Sequence, residues 1–150
     1  MKIRLFATVI SGVFLVSMLA GCASKATPSI SIEGAWGYPS PTIAGAGVIF
    51  MLIKNSGNAP DKLFSGKSDA CGLVELHEIV KKDNGTLAMN LVTEPVTIPA
   101  GGLVELRSDS LHVMCLMMKE DQFKIGSKIN LTLVFEKSGE KTFSVEIREQ

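Results

Sequence analysis

The chain is predicted to fold as an all-β domain, an antiparallel β-sandwich, and three observations carry that expectation. Short apolar or alternating runs recur from Ile30 onward, separated by Gly, Pro, Asn and Asp. No stretch carries a long amphipathic helical pattern between good caps. Turn signals follow one another closely, which favours a sandwich or barrel.

The elements follow in order. Gly47 to Lys54 is a nearly continuous apolar run, closed by the turn-like Asn55-Ser56-Gly57-Asn58. Gly72 to Val80 alternates, with Val74 and Leu76 on one face and Glu75 and His77 on the other. Asp83-Asn84-Gly85 then reads as a hairpin connection into a strand over Leu87 to Val92. Val96 to Pro99 and Leu103 to Arg107 flank Ala100-Gly101-Gly102, and in the second run Val104 and Leu106 oppose Glu105 and Arg107. His112 to Met117 is a further strand. Leu131, Leu133 and Phe135 alternate with Thr132 and Glu136, and Phe143, Val145 and Ile147 with Thr142, Ser144 and Glu146. Ser138-Gly139-Glu140 is the turn between these last two strands.

Ahead of this domain, residues 1–21 read as an export signal, with Lys2 and Arg4 before an apolar stretch from Leu5 to about Ala20. Leu19-Ala20-Gly21-Cys22 resembles the lipobox of bacterial lipoproteins. That resemblance implies lipid on Cys22, anchorage of the mature chain to a bacterial membrane, and exposure to the periplasm. Ala23 after the cysteine favours the outer membrane of a Gram-negative host. Residues 22–29 are expected to form a lipidated N-terminus and a short mobile tether, and residues 30–150 the β-sandwich. Fifteen basic residues balance fifteen acidic ones in the full chain, and losing Lys2 and Arg4 leaves thirteen against fifteen, a net charge near −2. No basic cluster points to a nucleic-acid surface.

Four side chains suggest chemistry: His77, Met89, His112 and Met114. Neutral imidazole nitrogen and thioether sulfur favour copper, above all Cu(I), over hard ions that need carboxylates. His112 and Met114 are two apart, so an extended strand aims both the same way while Val113 packs beneath them. A hairpin can bring His77 and Met89 together. Glu75 or Glu78 would partly offset the charge of a cation held by neutral donors. Each side chain also has an ordinary structural role open to it, for methionine fills irregular core gaps. Cys71 and Cys115 are compatible with a disulfide or with two small buried hydrophobes. Cys115, directly after Met114, is an accessory-ligand candidate, although a strand would turn it away from the His112–Met114 face.

Val74-Glu75-Leu76-His77-Glu78, Met89 and His112-Val113-Met114 together resemble the periplasmic copper chaperone family PCu(A)C. Gly34-Ala35-Trp36, Ile53-Lys54-Asn55 and Ile98-Pro99-Ala100-Gly101-Gly102 extend the resemblance, which covers roughly Ile30 to Ile147. It implies a cupredoxin-like sandwich that binds Cu(I) through His77, Met89, His112 and Met114 without catalysis. It further implies exchange of copper with periplasmic proteins and delivery to cytochrome c oxidase or its assembly factors. Three departures stand out, the first being the sulfur that Cys115 and the Met117-Met118 pair add near the closing motif, expected to alter affinity or to provide an exit route for copper. Glu78 occupies a position where many members carry methionine, and the 22 residues between Met89 and His112 are one more than the common spacing.

Two other functions fit parts of the sequence. A cupredoxin-like electron carrier would need two histidines, a weak axial methionine and a cysteine thiolate, for which Cys115 is the candidate. A structural or adhesion lipoprotein would need no metal at all. A hydrolase is disfavoured, since the chain has no G-x-S-x-G elbow, and H-E-x-x-H fails because Lys81 stands where the second histidine would be.

Overall fold

The structure is a computed structural model that describes residues 25–150. The export signal and Cys22 lie outside the described residues. Among those residues the regular elements are all strands: β1 (Ile30–Pro39), β2 (Gly47–Asn55), β3 (Asp61–Lys67), β4 (Leu73–Lys81) and β5 (Leu87–Leu91). They continue with β6 (Val96–Ile98), β7 (Leu103–Leu106), β8 (Leu111–Leu116), β9 (Lys128–Phe135) and β10 (Gly139–Ile147). The predicted all-β class is observed.

The strands join into one curled sheet in the order β5-β4-β8-β2-β1-β10-β9-β3-β6, with β7 also paired to β2. Its two halves face each other across a shared core, so the sandwich is one continuous hydrogen-bonded surface. The join is the single departure from antiparallel pairing: β1 runs parallel to β10, with Trp36 opposite Glu146 and Gly37 opposite Ile147. A register shift between Glu33 and Trp36 bends β1 toward β10, and Gly34 takes the φ of 61° that this bulge requires. Along its other edge β2 pairs first with β8 through residues 47–49 and then with β7 through residues 51–54.

Alternation decides which side chains fill the core. Ile49, Met51 and Ile53 of β2 meet Val113 and Cys115 of β8 in the same buried cluster. Ile129, Leu131, Leu133 and Phe135 of β9 and Val145 and Ile147 of β10 close it from the other half. All ten strands and all of these side chains lie between Ile30 and Ile147, so the stretch contains a complete core and can fold as a unit.

Two buried polar residues secure the loops. Asn55 is 1% exposed; its amide donates to the carbonyls of Ala59 and Ile98, and its Oδ1 accepts from the backbone of Ser29 and Gly57. Asp61 is wholly buried and accepts backbone N–H bonds from Lys62, Lys137 and Ser138 at 2.8 to 2.9 Å. The segment ahead of β1 also meets the turn after β2. Thr27 donates its backbone N–H to Asn58 Oδ1, and its carbonyl accepts from the Asn58 backbone, so residues 27–29 dock on the turn after β2.

Candidate metal centre

The candidate residues emerge on the face of β5-β4-β8-β2-β1 turned away from the core. Hairpin geometry sets the first part. Lys82 and Thr86 close the turn between β4 and β5, Asn84 accepts from the backbone and hydroxyl of Thr86, and Gly85 supplies a φ of 83°. That turn places Met89 opposite Ile79, beside His77 on the same face. The second part comes from β8, where His112 stands opposite His77, and Met114 opposite Glu75 and Val48. The loop leading into β8 is braced by Arg107, whose guanidinium donates to both carboxylate oxygens of Asp109 at 2.6 and 2.9 Å.

Met89, His112 and Met114 line one cleft of about 280 Å³, with Tyr38, Phe50 and Ile79 among its walls. Phe50 stacks in tilted fashion with Trp36 and Tyr38 and lies 6.4 Å from the His112 ring, so the surroundings are apolar. His77 does not line the cleft; its ring lies 6.2 Å from that of His112, on the neighbouring strand. Thus one face holds all four predicted residues, three of them in a single cavity. Exposure is uneven. His112 and Met114 are buried, His77 is largely covered, and Met89, on the edge strand, is 41% exposed.

Hydrogen bonds determine the tautomers. His112 Nδ1 lies 3.0 Å from the Ser110 carbonyl, which can only accept, so Nδ1 carries the proton and the neutral ring keeps its lone pair on Nε2. Burial, countered by that hydrogen bond and reinforced by His77, holds the His112 pKa below the ordinary 6.5. His77 is arranged the other way round. Its Nε2 lies 2.8 Å from Glu75 Oε2, leaving the lone pair on Nδ1. That Nδ1 is the one buried side-chain nitrogen or oxygen without a hydrogen-bond partner among the described residues. An orphaned buried acceptor beside a second free imidazole nitrogen and a buried thioether is a donor set suited to a soft cation. No three His, Cys, Asp or Glu side chains form a metal-sized group among the described residues, so a shell here would have to use the thioethers.

Several expectations need adjustment. Cys115 is bonded to Cys71 by a disulfide, with Cα atoms 5.3 Å apart, and lies on the core face. It is therefore neither an accessory ligand nor the thiolate an electron carrier would need. Glu78 points away from the site, opposite Leu111 and Asn90, so only Glu75 lies close enough to offset a cation. For the same reason a methionine at position 78 would add no sulfur to this face. The Met117-Met118 pair divides: Met117 is exposed at a positive φ of 49°, and Met118 packs on the core. Sequence reasoning did not anticipate the aromatic wall of Trp36, Tyr38 and Phe50, although the alternation in β1 was available as a signal.

Comparison with known proteins yields the same architecture. A family described as "Putative lipoprotein LpqE-like" matches residues 30–147. A curated relative, "Putative lipoprotein Lxx21020" of Leifsonia xyli subsp. xyli (strain CTCB07), is 29% identical over 143 residues, covering 87% of this chain and 82% of the relative. Among solved structures, the apo PCuAC domain from PmoF1 superposes with a TM-score of 0.67 at 25% identity, covering 81% of this chain and 94% of that domain. The copper-bound PCuAC domain from PmoF2 gives 0.66 at 24% identity, over 83% of this chain and 97% of that domain. The solution structure of CuI-DR1885 from Deinococcus radiodurans gives 0.63 at 24% identity, over 86% and 84% respectively.

Proposed function

We propose that this chain, which belongs to the LpqE-like family, is a membrane-anchored Cu(I) chaperone that holds its cargo with His77, Met89, His112 and Met114. The observation that carries the reading is the opposed pair of imidazoles. His77 and His112 face each other across β4 and β8, each with one nitrogen engaged by the protein and the other left bare. Met114 on the same strand as His112, and Met89 on the neighbouring hairpin, supply thioethers, which bind Cu(I) without releasing a proton. The likeness to apo and copper-bound PCuAC domains supports the same reading.

Capture and release follow from the uneven burial. His112 and Met114 sit in the sheet and form the fixed part of the site, whereas Met89 stands on an exposed edge strand. An incoming protein can offer its own sulfur or nitrogen where Met89 leaves, so copper passes between proteins without entering solution. Lipid on Cys22 would keep this exchange at a bacterial membrane facing the periplasm, with Ala23 favouring the outer one. The recipient proposed from the resemblance is the copper centre of cytochrome c oxidase or a factor that assembles it.

Cu(I) titration of residues 25–150 against a competing chelator, with X-ray absorption at the copper edge, tests the reading. One tightly held Cu(I) in a mixed nitrogen and sulfur shell is expected. Absence of Cu(I) uptake would reject it and leave a structural or adhesion lipoprotein as the better description, and a shell without sulfur would reject the site built from these four residues.

A further inference from the structure

We propose that Glu75 is a positioning residue for the copper site: its carboxylate fixes the His77 ring in the tautomer that offers Nδ1 to the metal. The inference rests on the reading of His77 as a ligand and adds the group that orients it.

Residues two apart on a strand share a face, so Glu75 and His77 of β4 are neighbours by construction. Glu75 Oε2 lies 2.8 Å from His77 Nε2, and an ionised carboxylate can only accept, so the proton resides on Nε2. A neutral imidazole has one such proton. Nδ1 is then an acceptor, and it is buried with no protein partner. Moving the proton to Nδ1 would break the bond to Glu75 and turn the Nε2 lone pair toward a negative charge. Both effects oppose that tautomer.

The contrast with His112 gives the arrangement meaning. There the Ser110 carbonyl takes Nδ1–H and leaves Nε2 free. Two rings on adjacent strands therefore present different nitrogens, each selected by a separate acceptor. Metal-binding histidines commonly donate their second nitrogen to a carboxylate or carbonyl, which sets ring orientation and raises ligand basicity. Glu75 also stands opposite Met114, so its charge lies beside the proposed sulfur donor as well. The Glu75 and His77 side chains are 24% and 14% exposed, which limits screening of their contact.

Long-range proton–nitrogen correlation spectra of the ¹⁵N-labelled apo domain, residues 25–150, read the His77 tautomer without any metal. Cu(I) competition titrations on the same samples read affinity. The wild-type chain should show Nε2–H at His77. Glu75→Ala should populate both tautomers and weaken Cu(I) binding roughly 10- to 100-fold. Glu75→Gln, which keeps a carbonyl acceptor at the same reach, should restore the tautomer and most of the affinity.

An Nδ1–H tautomer in the wild-type chain, or an unchanged tautomer and affinity in Glu75→Ala, would overturn the proposal. Equal affinity losses in Glu75→Gln and Glu75→Ala would overturn it too, by assigning the effect to charge alone. Absence of Cu(I) uptake by the wild-type chain would instead remove the chaperone reading itself, and the apo spectra separate that result from the others.

Discussion

His77 and His112 occupy directly opposed positions on β4 and β8, with ring centroids 6.2 Å apart and an angle of 35° between the rings. As the two nitrogen donors of the proposed site they would be held by the sheet itself, so little ordering would remain to be done when a metal arrives. Replacing either by Asn should weaken Cu(I) binding by more than the roughly 10- to 100-fold typical of losing an outer-sphere partner. The double variant should lose less than the sum of the two effects, because one missing nitrogen already dismantles the shared shell. Chelator competition with the single and double variants measures this, and additive losses would mean that the two imidazoles act independently.

Met114 and Met89 are predicted to behave differently despite their identical chemistry. Met114 is 1% exposed within the sheet, whereas Met89 stands on an edge strand. Leucine conserves volume and removes the sulfur, so Met114→Leu should cost under about 1.5 kcal/mol in stability while lowering Cu(I) affinity. Met89→Leu should leave stability within about 0.5 kcal/mol of the parent, since surface substitutions rarely do more. Its characteristic effect should be on exchange, with faster transfer of Cu(I) to a thioether-bearing acceptor under stopped-flow mixing, because the position that Met89 would vacate is already open. Equal transfer rates in the two variants would remove the distinction between fixed and exchanging ligands.

The faces of the strands were legible in the sequence, and their partners were not. Val74 and Leu76 against Glu75 and His77 on β4 divide as their alternation predicts, and Val113 lies beneath His112 and Met114 as period two requires. The pairing of β4 with β8 joins segments some 35 residues apart, as in His77 with His112, and no local pattern encodes that choice. Strand β3 went unread because Asp61, Ser65 and Gly66 imitate a loop; its buried aspartate is explained only by the turn after β9, which it caps. The burial of His112 was likewise hidden, since the aromatic wall covering it comes from β1 and β2.

Burial of His112 also predicts a pH dependence. Desolvation holds its folded pKa below 6.5, so as pH falls the unfolded chain takes up this proton first. Stability should therefore drop with acidification from about 6.5 down to the folded value, and this group should contribute no further loss below it. Urea unfolding of the apo domain between pH 8 and 5 should show the slope, and His112→Leu should show less of it. An identical pH profile in the variant would contradict a buried neutral imidazole.

The Cys71–Cys115 disulfide links the segment before β4 to β8 and spans 44 positions in sequence. It constrains the unfolded chain, and loops of this length typically gain about 2–4 kcal/mol from closure. Because its sulfurs lie on the core side of β8, the Cys71→Ala/Cys115→Ala double variant should lose stability on that scale and retain the Cu(I) stoichiometry of the parent. Calorimetry and metal titration on the same sample test both halves. Lost stoichiometry in a variant that remains folded would bring sulfur from this pair back into the site.

Asp61 is the most exacting polar position remote from the site. Burial alone would raise its pKa, but the hydroxyl of Ser138 and the backbone amides of Lys137, Lys62 and Ser138 outweigh that and hold it below the usual 3.8. The ionised form is therefore favoured in the fold: its contribution is present in full above pH 3.8 and is lost as pH falls through the depressed folded value. Asp61→Ala leaves buried amides of Lys137 and Ser138 without their acceptor, at a cost of about 2–4 kcal/mol. Asp61→Asn keeps one acceptor oxygen but sets an amide N–H against a backbone N–H, so most of that loss should remain. Denaturant unfolding at pH 7 measures both variants, and near-parent stability in Asp61→Asn would show that charge and second oxygen are dispensable. Cu(I) affinity should be unaffected in either folded variant, because Asp61 opens β3 and bonds the turn after β9, whereas β3 meets β4 near its other end, where Gly66 lies against Val74.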